Sequence, residues 1–121
     1  MDKTKHISRM KSFKFAVRVV QMARYLQIEK KEYVLSKQVL RSGTSIGANI
    51  EEAQAGESRK DFKSKMSVAS KEARETLYWL RLLKETEYLE QRGADSIIQD
   101  CEELVSLLTS IVKTTAVGTP T

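Results

Sequence analysis

Chain punctuation is scarce in this sequence: its 121 residues include one proline and five glycines. Sheet proteins with many reversals need both residue types at their turns, so the scarcity argues for long uninterrupted elements. A single cysteine, Cys101, excludes an intramolecular disulfide and fits a reducing compartment. The one histidine, His6, lies in a basic N-terminal stretch, and the Glu-x-x-His pattern of metal sites inside helical bundles is absent. No run approaches the roughly 18 to 20 consecutive apolar residues that span a membrane. The opening MDKTKHISRMK lacks the apolar centre of a secretory signal. These absences lead us to expect a cytoplasmic protein with no metal and no cofactor.

Catalytic constellations are equally sparse. Gly43 and Gly47 lack the Gly-Lys-Ser/Thr that completes a phosphate loop. Cys101 shares a stripe with Ile97, Leu104 and Leu108, where it reads as a small buried apolar residue with no base beside it. Paired carboxylates such as Glu72 and Glu75 have the means for acid and base chemistry, but no nucleophile or oxyanion hole accompanies them. The expectation is a protein that is not an enzyme.

What is present is helical period. Hydrophobic residues make up 40% and charged residues 31%, enough for one packed core within a single domain of residues 1–121. A first helix is expected from about Ser8 to Ile28, with a flexible arm before it. It carries two apolar stripes, Met10, Phe13, Val17, Val20 with Arg24, and Phe15, Val19, Met22, Leu26, each at spacings of three and four. Two stripes are wider than one partner covers, so this helix is expected to meet neighbours on two sides, another subunit included.

A second helix, about Tyr33 to Gly56, places Leu35, Val39, Ser42 or Gly43, Ile46, Ile50 and Ala53 in register, with Gly43 and Gly47 at its centre. Each glycine costs about 1 kcal/mol against alanine in a helix. Periodicity alone leaves open whether a second backbone comes close there or the helix breaks. A third helix, about Arg59 to Leu89, has a sustained heptad seam of Phe62, Met66, Ala69, Ala73, Thr76, Leu80 and Leu83. Ser58 reads as its N-cap with Asp61 in the first turn, and Gly56 as the turn before it. A fourth, about Ala94 to Thr114, follows a turn at Gln91 to Gly93, and Gly118 and Pro120 mark a frayed tail. Helices of ~20 residues, about 30 Å long, joined by short loops imply an all-α, antiparallel up-down-up-down four-helix bundle.

On the second and third helices, intervals of three and four collect Arg41, Ser45, Asn49 and Glu52 on one face and Glu72, Glu75 and Trp79 on another. If the faces meet, Asn49 and Arg41 satisfy Glu72 or Glu75 in a structural polar network that fixes register. Tyr78 and Trp79 offer stacking surfaces, though packing is the commoner use of aromatics in a leucine-rich helix.

The segment RSGTSIGANIEEAQAGESRKDFKSKMSVASKEARETLYWLRLL resembles the small bacterial four-helix proteins of the 23S rRNA intervening-sequence (S23) family. The matching pattern is Ser45, Ile46, Asn49, Ile50 and Glu52, then Glu72 and a run of leucines. Where many relatives read Asn-Ile-x-Glu-Gly, this chain has Ala53. The family is similar to accessory proteins of diversity-generating retroelements. The resemblance implies a ring-like homo-oligomer, a homopentamer, and a continuous second helix. It also implies nucleic-acid binding, with no activity established for the family at large.

Charge supports the same direction. Through Lys31, nine basic residues oppose only Asp2 and Glu29, a surplus of seven in a chain whose net charge is +5. Gathered in an oligomer, such charge attracts polyanions by releasing their counterions. Candidate nucleic-acid contacts are Lys3, Lys5, Arg9, Lys11, Lys14 and Arg18. Lys60, Lys63, Lys71 and Arg74 form a second basic surface, diluted by Asp61, Glu72 and Glu75. The expected function is a non-enzymatic binder of RNA or DNA, or a scaffold. The alternative from a different class is an interaction module for an acidic protein partner.

Overall fold

A computed structural model of the chain describes residues 3–56 and 58–117. Among the described residues there are four α-helices and no strand: α1 (Lys3–Ile28), α2 (Leu35–Gln54), α3 (Arg59–Glu85) and α4 (Gln91–Val117). The tail expected around Gly118 and Pro120 lies outside the described residues.

The boundaries correct the sequence reading in physically informative ways. The expected arm from Lys3 to Ile7 is instead the start of α1. Nothing in that stretch breaks a helix, the buried Ser8 hydroxyl donates to the Lys5 carbonyl at 2.8 Å, and the Lys5 ammonium rests 4.4 Å from the Phe62 ring centre. At the other end of α1, Lys31 turns left-handed (φ 55°) and the Glu32 N–H donates to the Leu26 carbonyl at 2.9 Å. The bond closes the helix end one residue wider than the usual six-to-one pairing. Glu87 (φ 64°) is likewise left-handed, and the 3.0 Å six-to-one bond from the Tyr88 N–H to the Leu83 carbonyl ends α3 before the expected Leu89.

Glu32 then starts the next helix. Its carboxylate accepts the N–H groups of Val34, Leu35 and Ser36 at 3.1, 2.9 and 2.7 Å, three donors that otherwise have no partner in a first turn. This buried carboxylate moves the start of α2 from Tyr33 to Leu35. Before α3, the Ser58 hydroxyl accepts the Asp61 N–H at 3.0 Å, the cap read from sequence. Gly56 lies in the turn as expected but never goes left-handed; its N–H reaches the Ala53 carbonyl at 3.2 Å. The expected turn from Gln91 to Gly93 is the first turn of α4, which continues beyond Thr114 to Val117.

The α3 seam is buried from Met66 to Leu83, with Phe62 half-buried at its start. It packs between α2 and α4 and shares one core with Val39, Ile46 and Ile50 of α2, Ile97, Cys101, Leu104 and Leu108 of α4, and Phe15, Val19 and Leu26 of α1. Each such large side chain contributes about 1.5 to 3 kcal/mol through burial. α2 runs unbroken through both glycines, which settles their role as close approach. A Cβ on Gly43 would stand 2.8 and 2.9 Å from the two Val19 methyls, and one on Gly47 would stand 3.4 Å from the Ser12 hydroxyl. Partners on neighbouring helices run in opposite numerical order: Arg9 with Glu51 and Val19 beside Gly43, Arg41 with Glu75 and Glu52 with Lys65, Arg74 with Thr109 and Lys84 with Asp95.

Candidate nucleic-acid interface

α1 contains seven basic residues, Lys3, Lys5, Arg9, Lys11, Lys14, Arg18 and Arg24, and no acidic one. The fold divides them. Arg9 grips Glu51 of α2 through two bonds of 3.1 Å; Lys11 meets Glu103 at 3.2 Å and Arg18 meets Asp100 at 2.6 Å, both on α4. Arg18 also donates to the Ser96 hydroxyl at 3.2 Å. Lys5 lies over Phe62, while Lys3 and Lys14 enter no ion pair among the described residues. The paired side chains remain between 36% and 59% exposed, so each bridge contributes about 1 kcal/mol or less. Their larger effect is on availability: Arg9, Lys11 and Arg18 must exchange a carboxylate for a phosphate, whereas Lys3 and Lys14 need not.

Between these cations runs the apolar stripe of Met10, Phe13, Val17 and Val20, which remains 38% to 70% exposed, with Ile28 further along at 59%. The other stripe, Phe15, Val19 and Leu26, is buried, with Met22 packed at its edge. One of the two faces expected to need neighbours is therefore uncovered in the single chain.

The polar network forms only in part. Arg41 reaches Glu72 at 3.3 Å and also bonds Glu75, which accepts the Trp79 indole N–H at 3.0 Å. The indole bond first, then Arg41, holds the Glu75 carboxyl below its usual range; Glu75 in turn holds the Arg41 guanidinium above its own. Asn49 does not join them, because its amide donates to the Ser45 carbonyl at 2.8 Å within α2. Ser45 likewise turns back on the Ser42 carbonyl at 3.0 Å, and Glu52 pairs with Lys65 at 2.8 Å. Arg41 is about half exposed (52%), so losing Glu72 would leave no orphaned charge in the interior.

Comparison with known proteins places this arrangement. Residues 4–110 match the 23S rRNA-intervening sequence protein family, which spans α1 through most of α4. The chain belongs to that family. A crystal structure of a protein with unknown function from the S23 ribosomal protein family of Bacteroides thetaiotaomicron VPI-5482 is similar to it, with 51% identity and a TM-score of 0.89 over 92% of this chain and 99% of the other. No curated protein matches the chain.

Within this intervening-sequence fold, several buried polar contacts are not legible in helical spacing. The hydroxyls of Thr76 and Ser42 meet at 2.9 Å between α3 and α2, fully buried. Ser12 is buried too, its hydroxyl donating to the Arg9 carbonyl at 3.1 Å. Ser8 and Ser12 look like surface residues in sequence, since nothing marks a hydroxyl that is satisfied by its own helix. Cys101 is buried as expected, its thiol 3.4 Å from the Ala73 carbonyl and pushed up to about 12 mainly by burial. A thiol held that high stays protonated and unreactive near neutral pH. His6 is exposed, and no group of three or more metal-ligating side chains occurs among the described residues.

Proposed function

We propose that copies of this chain associate through the outer face of α1 and present basic residues to RNA or DNA, acting as a non-enzymatic nucleic-acid-binding or scaffold protein in the cytoplasm. In this reading each copy is an up-down-up-down bundle, supported by the opposite numerical order of partners on neighbouring helices. The assembly is a ring-like homo-oligomer, with five copies the number implied by the family resemblance. The observation that carries the proposal is the composition of α1: seven cations, no acid, and an uncovered apolar stripe at heptad spacing. Apolar side chains bring copies together, and the cations beside them accumulate on one assembly. Screening over about 8 to 10 Å limits cooperation to charges near each other. Lys3 and Lys14 lead the contacts because they give up no ion pair among the described residues.

The test is a gel-shift titration with RNA and DNA across ionic strength, alongside solution mass. The proposal expects salt-sensitive association and a multiple of the protomer mass. No association at low ionic strength, or a monomer, overturns it. The exposed Phe13 also favours one other reading, an acidic protein partner with an apolar patch, whose capture from lysate would survive nuclease treatment.

A further inference from the structure

Beside Phe62 lies a cavity of about 520 Å³ that the reading above does not use. Its wall combines Lys5 from the start of α1, Gln54 from the end of α2, Ser58, Arg59 and Phe62 around the start of α3, and Thr114 near the end of α4. The volume falls within the roughly 300 to 1,000 Å³ of small-molecule sites, more than a bare inorganic ion fills.

Among the described residues the wall is electrostatically one-sided. Among the described residues lining it, Lys5 and Arg59 are cations and none is acidic. Arg59 enters no ion pair among the described residues. Lys5 is positioned by the Phe62 ring, 4.4 Å away, which fixes the ammonium without neutralising it. Because the Ser58 hydroxyl takes the Asp61 N–H, the N–H groups of Arg59 and Lys60 remain at the positive end of α3 without helical acceptors. Asp61 offsets part of that pole but is not a wall residue. Gln54, Ser58 and Thr114 add polar atoms, and Phe62 adds apolar area.

Two cations beside a helix start suit a phosphate monoester, and the remaining space suits the body attached to it. A terminal monoester carries about −1.5 to −2 charge near neutral pH, whereas an internal diester carries a single charge. We propose that this cavity binds the terminal phosphate of a nucleotide, either a free mononucleotide or the phosphorylated end of a strand. The strand form rests on the nucleic-acid reading above; the free form does not.

The test uses a short, internally labelled RNA with a 5′ phosphate, a 3′ phosphate or neither, read by fluorescence anisotropy, and adenosine monophosphate read by calorimetry. Each probe is titrated into the native chain and into Arg59→Gln, Lys5→Gln and Lys14→Gln, with circular dichroism confirming that each variant folds. In the strand form, one phosphorylated end binds about tenfold more tightly than the bare strand. Arg59→Gln and Lys5→Gln erase that ratio, while Lys14→Gln weakens all strands alike. Mononucleotide binding that Arg59→Gln and Lys5→Gln abolish supports the free form, even if no strand binds and the nucleic-acid reading falls. If all strands bind equally and the mononucleotide does not bind, the cavity inference fails while the nucleic-acid reading stands. A phosphate preference that persists in Arg59→Gln also overturns the inference, and so does silence from every probe, while the gel-shift titration with RNA and DNA decides the nucleic-acid reading.

Discussion

Helix α1 has two apolar faces, and the fold covers one of them. Phe15, Val19 and Leu26 are at most 2% exposed, whereas Phe13 is 70% exposed and Met10 46%. Both faces follow spacings of three and four, so hydrophobicity and period do not distinguish them. Neighbouring residue size does. The inner face interleaves its large side chains with Ser8, Ser12 and Ala23, and α2 answers with Gly43 and Gly47, so the two helices close to contact. The outer face is interrupted by Lys14 and Arg24. Contact distance, more than greasiness, selects the core face. The outer edge of α2 and α3 provides a third case, a surface already complete in one chain because Arg41, Glu72, Glu75 and Trp79 satisfy each other.

The largest test of this contrast uses two phenylalanines two positions apart. Phe15→Ala should destabilise the chain by about 3 to 5 kcal/mol in urea unfolding, while Phe13→Ala should change the dissociated chain by no more than about 0.5 kcal/mol. Phe13→Asp should instead lower the solution mass while leaving the helical circular dichroism of the protomer intact. Equal stability losses from Phe15→Ala and Phe13→Ala would erase the distinction between the faces. A second test addresses what the packed side tolerates. Thr76→Val leaves the buried Ser42 hydroxyl without its partner and should cost about 1 to 3 kcal/mol. Adding Ser42→Ala should recover most of that loss, because removing both polar groups leaves no orphan. If the double variant is no better than Thr76→Val alone, volume rather than hydrogen bonding sets the cost.

The division between legible and illegible features follows the range of each interaction. The α3 seam could be read because a heptad repeats within one helix, and the Ser58 cap because its partner is three residues away. The glycines were ambiguous from period, because the residue they admit, Val19, lies on another helix. The candidate contacts were less legible still. Arg9, Lys11 and Arg18 find carboxylates 42, 92 and 82 positions away, so counting charge along α1 missed their neutralisation. Helical spacing offers Asn49 to Glu72 or Glu75 if the faces meet, yet an amide that bonds a carbonyl one turn back has little left to offer a neighbour. In sequence Glu32 is one charge in the run Glu29-Lys30-Lys31-Glu32, whereas three backbone N–H groups make it a buried cap.

The inner face can be sharpened further by the two glycines, for which opposite signs are expected. Gly43→Ala gains helix propensity, but its methyl would overlap the stiff, buried Val19, so a net loss of about 1 to 2 kcal/mol is expected. Gly47→Ala meets the Ser12 hydroxyl at an ordinary 3.4 Å and should gain about 0.5 to 1 kcal/mol from propensity. Thermal melts of the two variants decide the matter; a gain at Gly43 would mean that Val19 yields and that the seam is loose.

The smallest expected effect tests whether the polar edge and the apolar face are independent. Glu75 is held below its usual range, first by the Trp79 indole N–H and then by Arg41. Its contribution to stability is therefore complete above the unfolded glutamate value of about 4.3 and is lost as pH falls through the lower folded value. With its side chain 37% exposed, solvent screens most of that contribution, so a melt is the wrong instrument. Trp79 is the chain's only tryptophan and reports on the bond directly. Its emission should change with a midpoint below about 4.3, and Glu75→Gln should abolish the transition. A midpoint at or above that value would mean that the indole and guanidinium do not stabilise the carboxylate. Solution mass at neutral pH should be the same for Glu75→Gln and the native chain, because Glu75 lies outside the α1 stripe and outside the ion pairs of its cations; a lower mass in the variant would show that the two surfaces are coupled.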